Sequence, residues 1–353
     1  MLGTIVTLIV TILLFGVLIF VHEFGHYIVA RCFGVGVIEF AIGMGPKIKT
    51  WKGKYNDFTL RAIPIGGFVN MVGEYDEEIP EEHKYKIPLN QRPVWKRILI
   101  VVAGPIMNII LAFVLMSVLV CTSGAIGSTV VAEFRDNSVS EEYGLNVNDE
   151  IIEVNGKKIR CYNDMSYKII SDGINPVDIT VIRNGETVYL NDVVFGTATE
   201  RGVKMGELDF KVYRKEKTIG NVIYESFWQS VSTVYITVDS LVDTIGGRYG
   251  MEAVGGPIAV GGEIDNTIRQ SESFGDAVYS LLTFMIMISV SLGVFNLLPI
   301  PVLDGGRLLF YIIEAIRRKP MNPKLEQKIS AFFMILLLGL MVFVACHDVV
   351  GLF

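Results

Sequence analysis

The chain is poor in charge, in histidine and in organised cysteine. Only 19% of its 353 residues are charged, and the formal balance is −6. That sign leaves no basic footprint for nucleic acid. The four cysteines, at positions 32, 121, 161 and 346, have neither zinc-finger nor Cys-x-x-Cys spacing, so they outline neither a disulfide framework nor a thiolate metal site. No internal repeat is present. The first apolar run lacks a basic leader region and a small-residue cleavage site, so it reads as a retained span rather than a removable signal.

What is abundant is apolar surface. Hydrophobic residues make up 51% of the chain, too many for an ordinary soluble protein. Residues 2–21, 98–120, 277–303 and 329–346 form uncharged apolar runs, each near the length a helix needs to cross a hydrocarbon core about 30 Å thick. Basic residues flank them unevenly. Arg31, Lys47, Lys49, Lys52, Lys54, Arg61, Arg92, Lys96 and Arg97 lie between the first two runs, and Arg307, Arg317, Arg318, Lys319, Lys324 and Lys328 between the last two. Lysine and arginine next to spans mark the cytoplasmic side. Both termini, and the long segment between the second and third runs, are then extracytoplasmic.

That segment has the grammar of a folded domain. Residues 128–134 read as a strand, and 138–145 as a short helix stopped by Gly144. Residues 149–159 and 177–195 read as hairpins turning at Asn155-Gly156 and Asn184-Gly185, the dipeptides that suit tight hairpin turns. The order and spacing resemble a PDZ domain, which can hold a peptide as an added strand. Capture of a peptide and a folded spacer that limits access are open alternatives. Downstream, apolar residues recur every three or four positions from Ile219 to Ile245, the pattern of an amphipathic helix. It either lies on the outer membrane surface or packs under the PDZ-like domain, and Gly246-Gly247 ends it. Residues 37–71 lack a helical period. Short strands at 39–42, 47–51 and 58–63, punctuated by Gly43, Gly45-Pro46, Gly53, Pro64 and Gly66-Gly67, suggest an antiparallel sheet on the cytoplasmic side.

The chemistry concentrates in His22-Glu23-Phe24-Gly25-His26 at the inner end of the first run. Two histidines four apart on a helix share a face and can hold one Zn²⁺, and the glutamate between them can act as general base toward water. Polar and ionisable groups inside a span are costly unless paired or functional. A catalytic zinc site usually has three protein ligands. The first and third spans both run inward, so Asp304, at the far end of the third, reaches the depth of the histidines. His347 lies on the wrong side, and His83 sits in an acidic loop. Glu39, Asp57, Glu74 and Cys32 lack a helical anchor facing the first span. Asp304 is the remaining candidate, with a turn carboxylate before Gly305-Gly306 as its plain alternative. Pro299 and Pro301 remove backbone donors and break the third helix. Asn296, just before the break, either donates to a substrate carbonyl or oxyanion or repairs the freed backbone.

Several pieces together resemble the site-2-protease-type intramembrane zinc metalloproteases, the M50 family in its bacterial RseP/RasP-like group. They are His22 to His26, Ala62-Ile63-Pro64-Ile65-Gly66-Gly67-Phe68-Val69, Ala103-Gly104-Pro105 with Asn108, the PDZ-like segment, and Asn296 through Gly305. The resemblance implies His22, His26 and Asp304 as Zn²⁺ ligands, Glu23 as catalytic base, and a membrane-associated β element at 37–71 near the site. Gly66 and Gly67, with Asn296, Pro299 and Pro301, are the candidates for substrate contact or oxyanion support.

The expected fold is a polytopic α-helical protein of the bacterial plasma membrane. It has four transmembrane helices, a cytoplasmic-side β element and one extracytoplasmic PDZ-like α+β domain. Its parts are residues 1–123 with the first two spans, 124–213 with the PDZ-like domain, 214–275 with the amphipathic segment, and 276–353 with the last two spans. Expected partners are membrane lipid and single-span membrane proteins such as anti-sigma factors or remnant signal peptides. A transporter with a polar centre would also use intramembrane His, Asp and Asn but predicts internal repeats. A PDZ-bearing scaffold would have no use for Glu23.

Overall fold

A computed structural model describes residues 2–74, 86–200, 202–248 and 256–350. In chain order the helices are α1 (Leu2–Cys32), α2 (Val94–Thr122), α3 (Tyr162–Asp172), α4 (Ile219–Ile245), α5 (Pro257–Gln270), α6 (Phe274–Asn296), α7 (Asp304–Arg317) and α8 (Pro323–Val350). The strands are β1 (Val37–Lys52), β2 (Asp57–Met71), β3 (Ile126–Phe134), β4 (Glu150–Val154), β5 (Lys157–Lys158), β6 (Val177–Arg183), β7 (Glu186–Val193), β8 (Thr197–Glu200), β9 (Val203–Gly206) and β10 (Phe210–Lys215). They form two compact units, residues 1–112 with 255–353, and residues 113–254.

Four helices, α1, α2, α6 and α8, are long and apolar enough to cross a membrane. In hydrocarbon each backbone N–H and C=O must find its partner within the segment, which a helix provides. The uncharged part of the first run ends at Val21, and the two histidines beyond it were expected on the same helix. Helix α1 does continue through them to Cys32, because nothing in 22–32 breaks a helix, and it stops before Gly34, whose φ of 69° is left-handed. At 31 residues it is about 46 Å long, so both histidines stand inside the helix. The third apolar run, 277–303, is broken as its prolines led one to expect: α6 stops at Asn296 and Asp304 opens a new helix, α7. Pro299 and Pro301 account for the gap, since each lacks a donor and disfavours helical geometry in the residue before it. Apolar side chains on the outer faces, such as Leu13 on α1 and Ile335 on α8, stay exposed, as lipid-facing positions do.

The segment 37–71 holds two long strands rather than three short ones. Glycine marks corners here instead of ends. Gly43, Gly45 and Gly66 have φ of 85°, 80° and 83°, which lets a strand turn while pairing continues. Each strand therefore pairs twice. Ala41 lies opposite both Phe68 and Thr59, and Thr59 also faces Thr50. The ladder order is 47–52, 57–61, 37–42, 67–71, with 67–71 at one edge. Phe40, Val69 and Met71 pack with Ala30 of α1 and Ile100 of α2 in one buried cluster. Within the sheet, buried Glu39 meets Arg61 at 2.9 Å and Lys47 at 3.1 Å. Burial alone would raise its carboxyl pKa, and hydrogen bonds from Arg61, Lys47 and Thr59 outweigh that and hold it below the ordinary range.

The second unit is an antiparallel sheet in the order β10-β3-β4-β6-β7, with β5 paired to β4. Both expected hairpins form. Asn155-Gly156 and Asn184-Gly185 all have positive φ, as two-residue turns of this kind require. Helix α3 and the strands β8 to β10 had no distinct signature. Ile151, Ile179, Val181, Met165 and Ile169 make the core. Helix α4 spans the expected range but turns the other way from a core-packed stripe. Glu225, Ser226, Ser230 and Ser232 are buried, while Ile219, Ile223, Phe227, Val231, Val238 and Val242 are exposed. Polar partners explain the choice: Asp239 accepts from Tyr167 and Lys168 of α3 at 3.0 and 3.3 Å, and Glu225 pairs with Lys215 at 2.7 Å.

Helices α1 and α2 meet closely at Gly25. A Cβ there would strike the Ala103 carbonyl oxygen and stand 2.7 Å from Met107 Cγ, whereas one on Gly16 would meet nothing within 4 Å. Gly25→Val is expected to destabilise the protein by about 1–3 kcal/mol, the usual cost of overpacking. Thermal unfolding in detergent checks this, with Gly16→Val expected to match the wild type.

Candidate metal centre

The i, i+4 spacing on α1 puts His22 and His26 on one face, and the neighbouring elements decide where their rings point. Gly104 of α2 leaves room for the His26 imidazole, which a Cβ at that position would strike. His26 Nδ1 lies 2.8 Å from the Ile100 carbonyl oxygen. A carbonyl only accepts, so Nδ1 carries the hydrogen and Nε2 presents its lone pair. His22 Nδ1 lies 3.3 Å from Asn108 Nδ2. The loop between α6 and α7 brings in the third group. It folds against the start of α7 so tightly that a Cβ on Gly305 would meet the Leu297 and Leu298 carbonyls, and one on Gly306 the Ile300 carbonyl. Asp304 is the first residue of α7, where unpaired N–H groups and the helix dipole favour a carboxylate.

Asp304 Oδ2 stands 3.1 Å from His22 Nε2 and 3.3 Å from His26 Nε2, and the two Nε2 atoms are 3.3 Å apart. Among the described residues these three form the one group of His, Cys, Asp or Glu with metal-ligand proximity. Oδ2 is buried and accepts no hydrogen bond despite its two near neighbours. Three atoms able to act as ligands thus face one point, an arrangement that a cation resolves. Ligands 2.0–2.1 Å from a tetrahedral Zn²⁺ stand about 3.3 Å from each other, so the donor set fits zinc in both identity and spacing.

A cavity of about 630 Å³ opens beside the cluster. Glu23, Gly67, Asn296 and the strand 67–71 contribute to its wall. Gly67 is pressed against α1, since a Cβ there would lie 3.1 Å from Glu23 Cγ. Gly66 stands one step away, against Met44, which also lines the cavity. Pro301 is buried and lines a neighbouring pocket of about 400 Å³, while Pro299 is exposed and lines neither. Of the other acids considered as ligands, Glu39 is taken up by Arg61 and Lys47, and Glu74 pairs with Arg307. His83 lies outside the described residues.

Sequence reasoning overlooked the groups that hold the site. Arg97 of α2 grips Glu314 of α7 through two hydrogen bonds of 2.9 and 2.6 Å, and Arg307 ties α7 to Glu74 at the end of β2. Neither pair has a motif, because the partners lie more than 200 positions apart in each case. Gly25 and Gly104 had a usable signal, being small residues on membrane-spanning helices, where helices approach most closely.

A helix bearing His-Glu-x-x-His, closed by a carboxylate from elsewhere, is the donor set of a zinc-dependent metallohydrolase. Residues 10–340 match Peptidase family M50, and the chain belongs to that family. A Clostridium perfringens protein that carries the name zinc metalloprotease is 34% identical over 345 residues, covering 97% of this chain and 98% of its own. The regulator of sigma-W protease RasP of Bacillus subtilis is 28% identical, with 98% and 99% covered. The metalloprotease MmpA of Caulobacter vibrioides is 29% identical, with 99% and 96% covered. The chain is accordingly a zinc-dependent, multi-pass membrane metalloprotease whose substrates are proteins. Removing zinc with a chelator is expected to abolish proteolysis, and restoring zinc to recover it, as followed by cleavage of a protein substrate in detergent.

Proposed function

We propose that the chain is an intramembrane endopeptidase that cuts single-span membrane proteins within or near the bilayer. The observation that carries the reading is one cavity holding His22, His26, Asp304, Glu23 and the edge strand 67–71 beside helices long enough to span a membrane. In this reading His22 Nε2, His26 Nε2 and Asp304 Oδ2 hold the metal. Zinc, when bound, supplies Lewis acidity toward a carbonyl and lowers the pKa of water. Glu23 takes a proton from the attacking water and returns it to the leaving amine. Asn296, at the end of α6 on the cavity wall, donates its amide to the carbonyl oxygen as charge develops there.

A substrate helix hides its carbonyls in i→i−4 hydrogen bonds, so it must unwind before attack. Among the described residues, 67–71 pair with 37–42 on one side only, and that edge can take an unwound segment as an added strand. Gly66 and Gly67 keep that edge close to Glu23. The loop charges favour a site toward the cytoplasmic side, with both termini and the PDZ-like unit outside. There the PDZ-like unit restricts access to substrates already trimmed of bulky external domains. The likeness to the regulator of sigma-W protease favours anti-sigma factors among the substrates, and remnant signal peptides share their single-span form.

The test uses purified full-length protein and a model single-span substrate. Glu23→Gln is expected to retain zinc and to slow cleavage by at least about 100-fold, the scale of a lost general base. Unimpaired cleavage by this variant would overturn the mechanism. Asp304→Ala is expected to lose most bound zinc by metal analysis, and full zinc content would remove Asp304 from the ligand set.

A further inference from the structure

Asn108 is fully buried in α2, and none of the chemistry above uses it. Its Nδ2 lies 3.3 Å from His22 Nδ1, whereas its Oδ1 is buried with no hydrogen-bond partner. These two facts conflict with the cluster beside them. An amide N–H₂ only donates, so His22 Nδ1 would have to accept. A neutral imidazole has one N–H. If Nδ1 accepts, the hydrogen sits on Nε2 and points at Asp304 Oδ2 and His26 Nε2, where a ligand needs its lone pair. His26 shows the workable arrangement, with Nδ1 against the Ile100 carbonyl and Nε2 free.

A half-turn of the Asn108 carboxamide about χ2 exchanges its oxygen and nitrogen and moves no other atom. Oδ1 then stands where His22 Nδ1–H can donate to it, and the buried orphan acceptor gains its partner. The backbone geometry supports the pairing. Gly104 and Asn108 are four apart on α2, His26 and His22 are four apart on α1, and Gly104 faces His26 while Asn108 faces His22. One antiparallel helix contact therefore serves both rings. The Asn108 turn is itself pinned by α6. Its backbone carbonyl accepts from buried Ser289 Oγ at 2.7 Å, and a Cβ on Gly293 would lie 3.0 Å from the Pro105 carbonyl.

We infer that Asn108 is the positioning residue of His22: its side-chain oxygen accepts the Nδ1 hydrogen and holds Nε2 unprotonated and aimed at Asp304 Oδ2. Outer groups that orient a metal-binding histidine in this way typically account for 10–100-fold in metal affinity. The inference rests on the proposed ligand set, so its test separates the two.

Zinc affinity is measured by chelator competition on full-length protein in detergent, alongside the thermal midpoint of the zinc-free form. Asn108→Leu, which keeps the shape and loses the acceptor, is expected to weaken zinc binding about 10–100-fold with little change in the zinc-free midpoint. Asn108→Asp, whose oxygens accept and cannot donate, is expected to bind zinc nearly as well as wild type. Wild-type affinity in Asn108→Leu overturns the inference, and so does an Asn108→Asp that is as weak as Asn108→Leu, because that pattern assigns Asn108 a donor role. His22→Ala is the separating control. If it loses zinc while Asn108→Leu does not, the positioning role fails and the ligand set stands. If it keeps zinc, the ligand set fails. Nitrogen-labelled histidine spectra of the zinc-loaded wild type give a readout independent of any variant: a protonated His22 Nδ1 is expected, and an unprotonated one overturns the inference.

Discussion

How near α1 and α2 can approach sets the geometry of the cluster of His22, His26 and Asp304. At Gly25 and Gly104 neither helix tolerates so much as a Cβ, because each would drive one into the other helix. The gap that results is too narrow for a typical pair of apolar side chains and wide enough for an imidazole lying against a glycine. It delivers His26 Nδ1 to a backbone carbonyl and leaves Nε2 facing the other helix ends. Association of helices in lipid draws on close packing more than on water exclusion. Small residues at the crossing therefore stabilise the pair of helices and shape the cluster in the same contact.

The third group arrives by a different device. A continuous helix through 277–304 would have placed Asp304 among helical neighbours, with its carboxylate at a helix C-terminus, where the dipole repels it. The break at Pro299 and Pro301 reverses this. Asp304 becomes the first residue of α7, and the helix that had to end supplies its loop while the helix that begins supplies the field. Helix α7 is then held at both ends of its buried face. Arg97 grips Glu314 two turns or more downstream, and Arg307 reaches Glu74 at the end of β2. Both pairs join α7 to elements that contact α1. The position of Asp304 relative to the histidines is thus held by contacts within the protein.

Much of this was legible in the sequence, and the pattern of success has physical causes. Apolar runs gave the four long helices because their period and length suffice without tertiary context. Asn-Gly gave both hairpin turns because few other dipeptides adopt two successive left-handed conformations. The two histidines on one face and the carboxylate at the same depth were readable from spacing and charge. Boundaries were less readable. Hydropathy bounds the first run at Val21 and gives no end for the helix, which continues to Cys32 because helix continuity depends on backbone bonding and not on side-chain polarity. Reading Gly43, Gly45 and Gly66 as stops overlooked that a left-handed residue can bend a strand without ending its ladder. The orientation of α4 was hidden because its polar partners, Tyr167 and Lys168, belong to a helix without a periodic signature of its own.

The sheet of the first unit shows why those glycine corners matter to the site. A straight hairpin of the same length would carry 67–71 away from α1. Because the strands fold back on themselves, 37–42 becomes a central strand and 67–71 an edge, laid against α1 at Gly67. Gly67 meets Ala41, Ile19 and Glu23 at 3.0–3.1 Å from the point where a Cβ would sit, so a larger residue would push the edge from the helix. An exposed strand edge is ordinarily a liability that proteins cover or charge. Here it borders a cavity lined by His22, His26, Asp304 and Glu23. An extended chain bonded to it would run alongside those groups with its carbonyls alternating toward and away from the edge. The same backbone groups that make the edge reactive toward any passing strand would then select for an unwound segment, since a segment still in helical form has no free carbonyl or amide to offer.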